Sequence, residues 1–424
     1  MQIHDRTAQL PALSGELADL RSATSDTSRG AFEEWRAGWR AGFAAFIGLA
    51  TCLPIWANVS SLFVQPLQDE FGWSRTQIVF AYNASLVSAI AAPFFGQLID
   101  RVGIRRILLA AMVLTALGYI GLASVSRSLP VYYFFYLWVN IFGICTSGLG
   151  FTRVVSAAFE RSRGTALAVA RLGNGAAGAI FPPLMFSLIV AEGWRTGFLL
   201  LAGLIVFVAL PAAWFGIDRG GQGVMGSAKQ SQIWIAHLKE RKVVLLCSAA
   251  GLMLAPSIAL LMQLSPVLTN KGLAPQDSAL LLSMMGVAVI VGALLGGFLV
   301  DRIWAPLVAC IFTLGPASGC LLLVPDHVSL TTAAIAVVCL GLAQGAELDL
   351  VAYMVARYFG LHSYATIYGI TSLSTSVCIT ILNNVIALLY AGFGNYQFGI
   401  ITCAASLTLA AAFFLAMGRY PKAR

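Results

Sequence analysis

Gly96-Gln97-Leu98-Ile99-Asp100-Arg101 returns 201 positions later as Gly297-Phe298-Leu299-Val300-Asp301-Arg302, almost half a chain length away. The surroundings return with it. Pro54 and Pro66 have counterparts in Pro256 and Pro266, Gly72 in Gly272 and Gly193 in Gly394, at offsets of 200 to 202. Each copy is dominated by apolar runs, so the repeat reads as two homologous halves of a membrane-embedded bundle.

Composition narrows the class. The 424 residues are 59% hydrophobic and 10% charged, with a mean hydropathy of +0.83, too little polar surface to cover a water-soluble globule. Runs of about 20 apolar residues, long enough to cross hydrocarbon, fall over 41–64, 76–98, 105–125, 131–155, 164–190, 196–217, 243–268, 278–300, 305–324, 330–356, 364–391 and 396–417. The expected fold is an all-α membrane protein of twelve transmembrane helices, in two pseudo-symmetric six-helix bundles over 41–217 and 243–417. Residues 1–40 read as a tail without the apolar core of a signal peptide, 218–242 as a linker with an amphipathic stretch at 232–239, and 418–424 as the C-terminus.

The net charge of +8 is positional. Twenty of the 26 Lys and Arg lie before the first run or after the even-numbered ones, and only Arg75, Arg127, Arg195 and Lys271 lie in the opposite loops. By the positive-inside rule both termini are expected in the cytoplasm, and the basic balance is topological rather than a nucleic-acid footprint. The abundance of Arg over Lys suits a bacterial inner membrane. The eight cysteines lie singly in apolar runs and the four histidines in the tail or loops, so no metal site, cofactor or catalytic constellation is expected. No Gly-x-x-x-x-Gly-Lys-Ser/Thr loop is present to bind a nucleotide.

Gly96-x-x-x-Asp100-Arg101-x-Gly103-x-Arg105-Arg106, between the second and third runs, resembles the signature of the major facilitator superfamily. The resemblance implies that Gly96, Asp100, Arg101 and Arg105 gate the two halves and stabilise the outward-open state, with Glu160 as ionic partner. Asp301 and Arg302 repeat part of it without the trailing glycine and arginine pair. Phe63-x-x-Pro66-Leu67-x-x-Glu70-Phe71-Gly72-Trp73-Ser74 and Ala158-Phe159-Glu160-Arg161-Ser162-Arg163-Gly164-x-Ala166-Leu167-Ala168 are similar to the monocarboxylate and oxalate/formate porter group. This implies small organic carboxylates moved by proton symport or exchange. That group places a base in its eighth helix, whereas 277–300 contains no Lys or Arg, so an anion must be held elsewhere.

Four charged residues lie deep in the runs: Arg153, Arg171, Glu347 and Asp349. An ionisable group there costs about 2.5–3.5 kcal/mol on insertion scales, so each is expected to face a watery cavity or a partner. The first half carries the positives and the second the negatives. Glu347 and Asp349 stand roughly 200° apart on a helix and cannot address one point. Glu347 is expected to couple protons. Asp349 either does the same or braces Tyr353 and Arg357 on its own face. Arg171 either forks onto a substrate carboxylate or pairs with one of these acids across the halves, and Arg153 either gates or snorkels. Matching prolines in the first and seventh runs point to broken, cavity-lining helices. Around them Asn58, Tyr82, Asn83, Asn174, Gln263, Tyr368 and Asn384 join Arg171 as candidate substrate contacts, each open to the plainer reading of an interhelical hydrogen bond.

The expected function is a monomeric secondary active transporter in the lipid bilayer, moving a small-molecule carboxylate, a monocarboxylate or aromatic acid, with protons. A carrier of a neutral hydrophobic solute or small peptide, or a receptor of transporter form, is the alternative. An enzyme is not expected.

Overall fold

The computed structural model describes residues 33–159, 162–217, 240–300, 302–359 and 364–418. Eleven of the described helices are long and apolar enough to cross a membrane. They are α1 (Glu33–Phe71), α3 (Ile104–Ala123), α4 (Leu129–Ala158), α5 (Thr165–Glu192), α6 (Trp194–Gly216), α7 (Arg241–Asn270), α8 (Pro275–Val300), α9 (Ala305–Leu322), α10 (Leu330–Phe359), α11 (Ile367–Phe393) and α12 (Gln397–Ala416). A further helix, α2, runs over 75–102 and is interrupted by a 3-10 turn at Ala81–Asn83. Two six-helix halves result, as the repeat implies. The end of the bundle that carries the turns after α1, α3, α5, α7, α9 and α11 is called the distal end below.

Backbone geometry repeats with the sequence. Gly72 and Gly272 have φ of 70° and 88°, and Gly193 and Gly394 have φ of 85° and 70°. These left-handed turns favour glycine because a Cβ clashes there, so the residue type is kept in both copies. Gly103 has φ of 95°, but its counterpart Trp304 sits at φ −57°. The loss of the trailing glycine from the second motif is thus a change of turn geometry.

Two expectations about the elements need correction. The tail expected over 1–40 is helical from Glu33. Glu34 Oε2 accepts the backbone N–H of Ser162 at 2.8 Å, which ties these added turns to the first half. Residues 1–32 and the linker stretch 218–239 lie outside the described residues. Matching prolines do not break both helices: α1 kinks where Pro54 opens Leu53–Val59 after Cys52, whereas Pro256 and Pro266 sit inside an unbroken α7. A proline removes one backbone hydrogen bond, and in α7 close packing around fully buried neighbours holds the helix together.

The first half is cored by aromatics. Trp56, Phe63 and Phe198 stack with centroids 4.4–5.5 Å apart, and Trp56 Nε1 donates to Tyr136 Oη at 2.7 Å. The halves meet along α1 with α7, α2 with α11, and α5 with α8. The last approach is the tightest: a Cβ added at Gly286 would stand 2.2 Å from the carbonyl carbon of Gly178.

Candidate functional site: an ion pair between the halves

Residues 171, 175 and 178 fall on one face of α5 by helical spacing. Gly175 packs against Ile290, and Gly178 against Gly286, both on α8. The glycines draw this face onto the second half and carry Arg171 with them. On α10, Leu342 and Ala346 pack against Gly292 and Gly296 of α8, and Asp349 continues that edge by one turn. The two meet: Arg171 Nη1 lies 2.5 Å from Asp349 Oδ1, with 38% and 47% of the side chains exposed. Arg171 has its acid from the other half, and the half-exposed pair stands where a vestibule can reach it.

Glu347 does not share this position. It is 1% exposed and accepts the Ser257 hydroxyl at 2.9 Å, tying α10 to α7 within the second half. The turn that sends Asp349 toward α5 sends Glu347 away from it. The brace expected on α10 also differs, because Asp349 turns to Arg171 while the Arg357 guanidinium lies over the Tyr353 ring at 5.8 Å.

Several candidate substrate contacts are engaged by other protein groups toward the distal end. Asn83 and Asn384 exchange side-chain amide hydrogen bonds across the halves at 3.2 and 2.5 Å. Tyr82, 4% exposed, donates to the Met262 carbonyl at 3.4 Å. Gln263 is buried and donates to Asn383 at 2.8 Å inside the second half. Depth along a helix does not say which side chains point into a cavity and which into a neighbouring helix. The distal seal has a member that sequence reading placed only as a loop charge. Arg75 Nη1 donates to Tyr396 Oη at 3.1 Å and lies over Tyr390 at 4.7 Å. Burial holds the Tyr396 phenol above its ordinary range, more than Arg75 lowers it, so this latch keeps a neutral phenol at physiological pH. A desolvated cation–π contact with a hydrogen bond is worth about 1–2 kcal/mol, so Arg75→Ala is expected to raise maleimide labelling of a Thr76→Cys reporter about 5- to 30-fold. Unchanged labelling would remove Arg75 from the seal.

The remaining candidates stay within one half. Asn58 donates to Asn174 at 3.2 Å, bridging α1 and α5. Arg153 Nη1 donates to the Gly96 carbonyl at 3.1 Å, and a Cβ at Gly96 would stand 3.3 Å from that guanidinium. Arg105 donates to the Trp214 carbonyl at 2.8 Å with its guanidinium 5.0 Å from the indole, so it braces α3 to α6 rather than the two halves. Arg101 is exposed, and Arg302 caps the Phe298 ring. The Asp100 side chain, Glu160 and Asp301 lie outside the described residues.

Sequence reading missed a cavity of about 190 Å³ between α7, α10 and α11, lined by Tyr368 together with Thr371, Ser372, Thr375 and Ser376. The signal was available: six hydroxyl residues within 371–380 of an otherwise apolar run.

A family model described as Major Facilitator Superfamily matches residues 42–382. The chain is 22% identical over 256 residues to the uncharacterised MFS-type transporter YcxA of Bacillus subtilis, covering 58% of this chain and 60% of that protein. It is 25% identical over 244 residues to human monocarboxylate transporter 11, covering 56% of this chain and 50% of that one. It thus spans about half to three fifths of the length of these relatives. Among solved structures, the inward-open xylose transporter XylE from E. coli superposes with a TM-score of 0.71 at 14% identity over 92% of this chain and 97% of that one. A point mutant of the nucleoside transporter NupG gives 0.74 at 14%, over 90% and 100%. Such identities speak for the fold alone.

Proposed function

Because this chain belongs to the major facilitator superfamily, a family of membrane transporters and not of enzymes, we propose that it carries a small organic carboxylate by alternating access coupled to protons. The observation that carries this reading is the Arg171–Asp349 pair, half-exposed and shared between the halves. A guanidinium fork matches a carboxylate, so an incoming carboxylate can replace Asp349 as the partner of Arg171. Binding then breaks a bond between the halves and alters the balance between the two end states, the differential interaction that a ligand-driven change requires. The likeness to a monocarboxylate transporter favours the same substrate class. The charge asymmetry of the loops supports both termini in the cytoplasm, and its Arg-rich character supports a bacterial inner membrane.

Glu347 is the proposed proton carrier, since it is sealed from water against Ser257 and has no basic partner among its described contacts. Purified protein in liposomes, acidic outside, is expected to accumulate a labelled monocarboxylate and to show counterflow and saturation. Glu347→Gln keeps an acceptor for Ser257 but carries no titrating proton. It is expected to retain counterflow and lose accumulation against a gradient. Accumulation by that variant would exclude Glu347, and absence of flux with any carboxylate would overturn the substrate reading.

A further inference from the structure

The cavity between α7, α10 and α11 carries a chemical bias. Each serine and threonine hydroxyl of its α11 wall has one hydrogen and two lone pairs, and each spends its hydrogen on the helix that bears it. Thr371 donates to the Ile367 carbonyl at 2.8 Å, Ser372 to Tyr368 at 2.9 Å, Thr375 to Thr371 at 2.8 Å and Ser376 to Ser372 at 3.0 Å. Thr371 is further engaged by the Cys247 sulfur at 3.5 Å, and since its own hydrogen is committed, the thiol is the donor. Ser372, Thr375 and Ser376 therefore offer the cavity acceptor oxygens.

The opposite wall is Leu254 and Val351. Leu254 lies one turn from Ser257 on α7, and Val351 one turn from Glu347 on α10, so the cavity lies about one helical turn from the buried Ser257–Glu347 bond. Val351 also stands two residues from Asp349, about 3 Å along the helix axis. Ala352 lies between the two around the helix. The cavity and the Arg171–Asp349 pair thus flank one face of α10 at one level of the bundle, separated by about the 10 Å width of a helix.

We propose that this cavity is a second subsite for the carried carboxylate, selecting molecules that bear a hydrogen-bond donor, a hydroxyl or amide N–H, at the end remote from the carboxyl group. The inference rests on the carboxylate reading above, which supplies the other anchor at Arg171. A ligand without a donor forgoes its bond to the hydroxyl oxygens and leaves them desolvated, whereas a hydroxylated one meets acceptors already fixed by their own helix.

Binding of 4-hydroxyphenylacetate and phenylacetate to the purified full chain, measured by thermal shift and by competition in counterflow, tests this. The hydroxylated acid is expected to bind about tenfold tighter. In the Thr375→Val, Ser376→Ala protein the ratio is expected to fall to about one, because the hydroxylated acid loses its acceptors and phenylacetate no longer desolvates them, whereas Arg171→Ala is expected to weaken both acids alike. Ser376→Ala alone, at a half-exposed position, serves should the double variant misfold, and is expected to lower the ratio in part. A ratio of one in the parent protein, or a full ratio in the variants, overturns the subsite. Should neither acid bind, the carboxylate reading fails instead, and the neutral pair 4-hydroxyphenylacetamide and phenylacetamide decides the subsite. A ratio that the variants abolish sustains its donor selectivity, and a ratio of one overturns it.

Discussion

Arg171→Ala is expected to weaken carboxylate binding about 10- to 150-fold and to abolish concentrative uptake, while lowering thermal stability little. The two magnitudes separate for a physical reason. Hydrogen bonds to charged groups are worth roughly 1.5–3 kcal/mol where the site is drawn closed around a ligand. In the unliganded protein the Arg171–Asp349 pair keeps 38% and 47% of its side-chain surface, so water already shares it, and its loss costs about 1 kcal/mol or less. Arg171→Lys keeps the charge without the planar fork and is expected to fall between the parent and the alanine variant. Asp349→Asn separates exchange from simple attraction. Removing the internal competitor is expected to preserve or raise substrate affinity while turnover falls, because cargo no longer has a protein carboxylate to hand Arg171 back to. Titration of substrate by thermal shift gives the affinities, and counterflow in liposomes the turnover. Parent-like uptake by Arg171→Ala would remove the ion pair from the mechanism.

Gly286→Val is expected to eliminate transport and to lower the thermal midpoint by several degrees. A Cβ at Gly286 meets the carbonyl carbon of Gly178 at 2.2 Å and the amide nitrogen of Ala179 at 2.3 Å. Both are backbone atoms of the facing helix and cannot rotate aside, so α5 and α8 must separate, and overpacking of this kind costs about 1–3 kcal/mol or more. The separation acts on the site as well, because the same face of α5 carries Arg171, one turn before Gly175 and two before Gly178. Gly178→Ala is expected to be milder, since its Cβ would find the Asn58 amide oxygen and the Gly286 Cα each at 3.2 Å, contacts that small shifts relieve. Normal flux by Gly286→Val would show that the α5–α8 crossing is not the contact on which the halves move.

The legible parts of this protein were those that depend on chain-local physics. Hydropathy marked the helices because a backbone in hydrocarbon has to satisfy its own hydrogen bonds, which leaves helix as the default. The repeat marked the halves, and it survives in the structure as paired left-handed glycines at 72 and 272 and at 193 and 394. Of the candidate site, Arg171, Glu347 and Asp349 stood out as costly intramembrane charges, and their angle on the helix separated the two acids. The partner of Arg171 stayed open, because which acid faces α5 depends on how α8 packs between them. Asn83 and Asn384 lay at a plausible depth for substrate, yet they bond to each other across the halves. The acceptor oxygens that α11 turns to its cavity required the hydrogen-bond geometry of four hydroxyls, which no spacing rule supplies.

Sequence by itself determined that this chain lives in lipid as twelve helices in two related halves, and that opposite charges sit on opposite halves, because transfer energies and local backbone needs are additive along a chain. Only the tertiary structure decided that Arg171 meets Asp349 and not Glu347, and that the distal end is closed by Arg75, Tyr396 and the asparagine pair. Those contacts join residues between 178 and 321 positions apart. Their formation depends on rotations and close approaches of whole helices, set by glycine contacts such as Gly178 with Gly286 that belong to neither partner.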